Sequence, residues 1–60
     1  MAICTRMWKA ASGANIKEYM RADGRSEFSY IDRLGFPHFA TAGDAQNMIR
    51  LLGMEFIYER

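Results

Sequence analysis

Two residues in this sequence have the intrinsic chemistry of a catalytic pair: Cys4, a latent nucleophile, and His38, whose imidazole could act as a base. His38 lies between Phe36-Pro37 and Phe39, in what reads as the loop before a helix. Nucleophilic catalysis needs a base beside the nucleophile and a third group to orient it. No G-x-S-x-G or comparable framework surrounds Ser12, Ser26, Ser29 or Cys4. A cysteine in an apolar strand is more simply inert core. The seven carboxylates (Glu18, Asp23, Glu27, Asp32, Asp44, Glu55 and Glu59) form no D-x-D or E-x-x-H set. Asp23 suits a turn, Asp44 a helix start, and Glu55 and Glu59 the exposed face of a last strand. Gly13, Gly24, Gly35, Gly43 and Gly53 are scattered singly near expected boundaries and never form a phosphate-cradling run. The expectation is a non-enzymatic chain with no cofactor and no metal.

Charge and aromatic placement point instead to binding. Residues 1–25 carry a net charge of +3 and residues 26–60 a net charge of −2. If the early segments are strands, Arg6 and Trp8 share one face while Lys17, Tyr19 and Arg21 share another. Were those faces to coincide, a basic surface with two aromatics would result, able to stack bases and neutralise phosphates. The same residue types dominate protein-interface hot spots, and a net charge of +1 weakens the nucleic-acid case. Trp8 in the core is the plainer alternative. Arg25 in a turn, with Phe36, His38 and Phe39 in the loop, forms a second candidate contact region. Met7, Met20, Met48 and Met54 supply soft apolar surface for an irregular core or a partner. Homodimerisation through an uncovered sheet face or edge is a further possibility.

The elements that must position these side chains fit in one domain, residues 1–60. Half the chain is hydrophobic, but Ala supplies eight of those residues and Val none, so the core is small and soft. One cysteine makes no intramolecular disulfide, and Cys4 with His38 alone makes no familiar zinc set. No apolar run approaches the roughly 18 to 20 residues that cross a bilayer, and Arg6 and Lys9 interrupt any signal-like start. A cytoplasmic setting is the default expectation. With no clip to hold a small core, stability is expected to lean on self-association or a larger partner.

Alternation predicts a strand over Met1 to Ala11, with Ala2, Cys4, Arg6, Trp8 and Ala10 on one side. Ser12-Gly13-Ala14-Asn15 predicts a turn, and Ile16 to Ala22 a second strand. Asp23-Gly24 predicts a two-residue hairpin with both residues at positive φ, returning as a third strand over Arg25 to Leu34. Gly35-Phe36-Pro37 should break regular structure. Thr41 as N-cap, Asp44 in the first turn and Gly53 as terminator frame a helix whose inner stripe is Ala42, Ala45, Met48, Ile49 and Leu52. Met54, Phe56 and Tyr58 then alternate with Glu55, Ile57 and Glu59 in a last strand. No internal repeat is evident.

The expected fold is therefore α+β, order β-β-β-α-β, a small antiparallel sheet with one packed helix. The alternative is mainly α, with Ser12 and Ser26 capping two helices that make a helix-turn-helix in residues 12–34. The compact layout, the Asp23-Gly24 hairpin and the Thr41 to Gly53 helix feeding Met54-Glu55-Phe56-Ile57-Tyr58 resemble small inhibitors encoded by phages and mobile elements, including anti-CRISPR proteins. The resemblance rests on size and layout and transfers no binding residue. It implies a steric inhibitor that occupies a larger host or defence complex. A small nucleic-acid-binding regulator is the alternative function.

Overall fold

A computed structural model describes residues 3–59, with the Glu59 side chain outside the description. The expectations for Ala2 and for the Glu59 side chain therefore lie outside the described residues. The elements run β1 (Ile3–Lys9), β2 (Asn15–Met20), β3 (Ser26–Ile31), β4 (Pro37–Ala40), α1 (Ala42–Leu51) and β5 (Glu55–Glu59). They form one antiparallel sheet in the order β4-β3-β2-β1-β5. The chain is α+β as expected, and the helix-turn-helix alternative is overturned, because residues 12–34 form two strands and their turns. Three hairpins lay down β1 to β4, and α1 carries the chain from the β4 edge across one face to the opposite edge, where β5 pairs with β1.

One strand is additional to the expected order. Residues 37–40, expected in a loop, form β4, so His38 and Phe39 are strand residues paired with Tyr30 and Ser29. The features read as a break also start an edge strand. Pro37 holds Phe36 extended, and its missing amide is tolerated at the first position of a strand on the sheet's edge.

The three hairpin turns are built alike. Gly13, Gly24 and Gly35 recur every eleven residues. In each turn the glycine amide donates to the carbonyl three residues back: Ala10 at 3.0 Å, Arg21 at 3.0 Å and Asp32 at 2.9 Å. The amides of Ala10, Arg21 and Asp32 in turn donate to the carbonyls of Ala14, Arg25 and Phe36. Every non-glycine residue described has negative φ, while Gly24 stands at φ 84°. This corrects the expected two-residue turn at Asp23-Gly24. Each closure is a type I turn followed by a left-handed glycine, the three-residue hairpin loop with a G1 bulge. A Cβ at Gly24 would meet nothing within 4 Å, so backbone conformation and not crowding demands glycine there.

The core lies between α1 and one face of the sheet. Cross-strand register sets Phe56, Trp8, Ile16, Tyr30 and His38 side by side across all five strands on that face. Ala10, Ala14, Ile16, Ala45 and Met54 are buried, with Trp8, Phe28, Tyr30, Met48 and Ile49 packed around them. Alanines on both sides of the contact let the helix approach the sheet closely. Among the described residues Ile16, at 0% exposure, is the large side chain that is fully buried at the centre. The Thr41 hydroxyl accepts from the Asp44 amide at 3.2 Å, the expected N-cap. Of the expected inner stripe, Ala45, Met48 and Ile49 face the sheet, whereas Ala42 and Leu52 are exposed. A short helix on a twisted sheet makes contact along its middle.

Candidate functional site

Two register shifts decide which side chains share a surface. In β1 the pairing with β2 slips between Cys4 and Arg6, so Cys4 lies opposite Tyr19 and Arg6 opposite Glu18. Cross-strand partners share a face, so Cys4 joins Met7, Lys9, Lys17 and Tyr19 on the bare side, and Arg6 and Trp8 join Ile16 and Glu18 on the helix side. The expected combination of Arg6 and Trp8 with Lys17, Tyr19 and Arg21 in one basic aromatic surface is therefore not formed. A second slip between Met7 and Trp8 against β5 puts Phe56 beside Trp8 and Tyr58 beside Met7, which ends the expected alternation in the last strand.

Arg6 and Trp8 are occupied within the fold. The Arg6 Nε donates to the Glu18 carboxylate, and the guanidinium carbon lies 5.3 Å from the centre of the Trp8 ring. Trp8 also meets Phe56 with ring centres 5.6 Å apart. Glu18 is the buried charged residue of the core face, 7% exposed. Its pKa is held below the ordinary carboxylate value, first by the Arg6 hydrogen bond against the opposing pull of burial. At the β2–β3 turn, Arg21 pairs with Asp23 at 3.4 Å and Glu27 at 3.3 Å, so its charge is answered locally. Arg25 is exposed beside it.

The Cys4–His38 pair is excluded by topology. His38 lies on the helix side of β4 and Cys4 on the bare side of β1, with β3 and β2 between them. Three strand spacings make that separation about 14 Å. What His38 does touch is the third turn. Its Nε2 lies 3.0 Å from Asp32 Oδ2, and its ring centre 5.5 Å from that of Tyr30. The other oxygen of Asp32 accepts from the amides of Leu34 at 3.0 Å and Phe36 at 2.9 Å. The His38 ring, then the Phe36 amide, hold the Asp32 carboxyl below its ordinary pKa. Asp32 thus ties the turn's start, tip and return strand together.

That clamp fixes an apolar corner. Leu34 occupies the tip position held by Ser12 and Asp23 in the other two turns, where a polar side chain suits the backbone. Leu34 is nevertheless 72% exposed and Phe36 is 62% exposed. Between this turn and the end of α1 lies a cleft of about 260 Å³, lined by Ser12, Ala14, Tyr30, Asp32, Leu34 and Leu52 among others. The expected second contact region is therefore divided. Phe36 ends the third turn and His38 lies on the helix side of β4, while Phe39 lies on the bare side, 89% exposed. Leu34 was missed by sequence reasoning, although the eleven-residue glycine period aligns it with Ser12 and Asp23 and would have exposed the anomaly.

Among the described residues no group of three or more His, Cys, Asp or Glu side chains is placed to hold a metal ion. No described helix is long and apolar enough to cross a membrane. No known protein family, curated protein or solved structure matches this chain.

Proposed function

We propose that this chain is a non-enzymatic binding module that occupies an apolar recess on a larger protein assembly through the corner built by Leu34 and Phe36. One observation carries the reading: a leucine stands exposed at a turn tip whose two counterparts are Ser12 and Asp23, on a backbone already locked by Asp32. A local rule broken on a rigid support marks a functional position more often than a structural one. Rigidity lowers the ordering cost of binding, and burying a leucine and a phenylalanine supplies about 1.5–3 kcal/mol each. Steric inhibition of a host or defence complex, which the resemblance to phage-borne inhibitors implies, needs no more than such occupation.

The test is capture from host extract with the intact chain, the Leu34→Ser/Phe36→Ser variant, and a Lys9→Ala control, with captured proteins identified by mass spectrometry. A specific partner should be retained by the wild type and the control and lost by the double variant, whose circular dichroism should be unchanged. Loss of two apolar anchors should weaken binding at least about 30-fold. Equal retention by the double variant would refute the corner as the contact. Nucleic acid is the second partner class, and salt separates the two. Phosphate contacts weaken steeply as salt rises, and an apolar anchor does not.

A further inference from the structure

We infer that the cleft beside Leu34 receives an apolar side chain accompanied by a carboxylate, presented by an acidic segment of the partner protein. This rests on the corner as the contact and narrows what the partner must offer there. The cleft encloses about 260 Å³ between the third turn and the end of α1. That volume lies below the roughly 300–1,000 Å³ of small-molecule sites and fits one side chain from a protein surface. Its apolar lining comes from Ala14, Tyr30, Leu34 and Leu52. Ala14 is 2% exposed, Leu52 46% and Leu34 72%, so this lining runs from the core cluster out to solvent. A side chain seated in it removes from water the leucine surface that the fold leaves exposed.

Charge selects the occupant. The charged residues lining the cleft are Asp32 and Arg33. Both oxygens of Asp32 are committed, Oδ2 to the His38 ring at 3.0 Å and Oδ1 to the Leu34 and Phe36 amides. Arg33 is exposed and, among the described residues, its guanidinium has no hydrogen-bond or ion-pair partner. Arg50, two residues before Leu52, donates to the Asn47 side-chain oxygen at 3.1 Å, a neutral acceptor that leaves its charge unanswered. His38 adds no negative charge. The unanswered charge at this end of the molecule is therefore positive, and its complement is an anion.

A carboxylate suits Arg33 because the guanidinium can fork onto it with two parallel hydrogen bonds, which adds direction to the apolar fit. A nucleic-acid backbone supplies phosphate without an apolar side chain and leaves Leu34 and Leu52 in water. A protein segment with an aliphatic residue beside its carboxylate satisfies both halves of the cleft.

N-acetyl-leucine combines those two halves in one small probe. Titrated to about 50 mM into the isotope-labelled full chain near neutral pH, it should shift the amide resonances of Ser12, Arg33, Leu34 and Leu52 saturably. The expected Kd is about 1–10 mM, which a ligand of about a dozen heavy atoms attains. N-acetyl-leucinamide keeps the side chain, lacks the charge, and should bind at least about threefold more weakly. Arg33→Gln should erase that preference and bring the two ligands within about 1.5-fold of each other, with circular dichroism unchanged. Leu34→Ser should weaken both ligands alike. Inorganic phosphate at the same concentration should leave the Ser12 and Leu52 amides in place. No saturable shift, equal binding of acid and amide, a preference that survives Arg33→Gln, or phosphate matching N-acetyl-leucine would each overturn the inference. The corner contact fails separately: a captured partner retained by the Leu34→Ser/Phe36→Ser variant refutes the corner, whereas one lost there but held undiminished by Arg33→Glu refutes only the carboxylate.

Discussion

Replacing Ile16 by Ala probes how much of the fold rests on one side chain. Ile16 is fully buried, sits on the middle strand, and lies between Trp8 and Tyr30 in the cross-strand row beneath α1. Its removal leaves a cavity bounded by sheet partners on both sides, so little collapse is possible. Burial of this kind gives a loss of about 2–5 kcal/mol for Ile to Ala and about 0.5–1.5 kcal/mol for Ile to Val. A chain of sixty residues has about 3–9 kcal/mol in total, so the alanine variant should be close to its unfolding threshold. The melting temperature should fall by about 4–8 °C for each kcal/mol lost. Phe39→Ala deletes a larger side chain from an 89% exposed position and should cost no more than about 0.5 kcal/mol in the monomer. Urea titration by far-ultraviolet circular dichroism, at a concentration where the chain is monomeric, measures both. An Ile16→Ala loss below about 1 kcal/mol, or one matched by Phe39→Ala, would refute the assignment of the core to the helix side.

Acid should destabilise the protein through Glu18 and Asp32, whose folded pKa values lie below their ordinary values of 4.5 and 3.8. Their contribution is complete above those values and is lost as pH falls through the lower folded ones, so urea midpoints should hold steady near neutrality and drop below about pH 4. Glu18→Gln should flatten that acid limb. Thr41→Ala removes the acceptor for the Asp44 amide and should cost about 1 kcal/mol, read as a lower urea midpoint with the sheet signal retained. Gly24→Ala forces a side chain into the left-handed region and should cost about 1–2 kcal/mol, whereas Ala22→Ser in the same turn should be nearly neutral.

The sequence by itself determined the elements that depend on neighbours a few residues away. Thr41, Asp44 and Gly53 frame α1 because capping is a local exchange of hydrogen bonds, and Gly24 marks a hairpin because positive φ is a local demand. The expectation of a small α+β sheet with one helix followed from those signals. The glycine period of eleven was also present in the sequence, and it carried the turn geometry and the oddity of Leu34. Tertiary structure alone decided which residues face together. Strand alternation assigns faces only while pairing stays in step, and the slips at Cys4/Arg6 and Met7/Trp8 move Cys4 away from Arg6 and Tyr58 away from Phe56. Likewise, Pro37 reads as a break from sequence and becomes the first residue of an edge strand only because β3 is there to pair with it. Contacts between distant strands fix these outcomes, and no local pattern encodes the offset at which two strands meet.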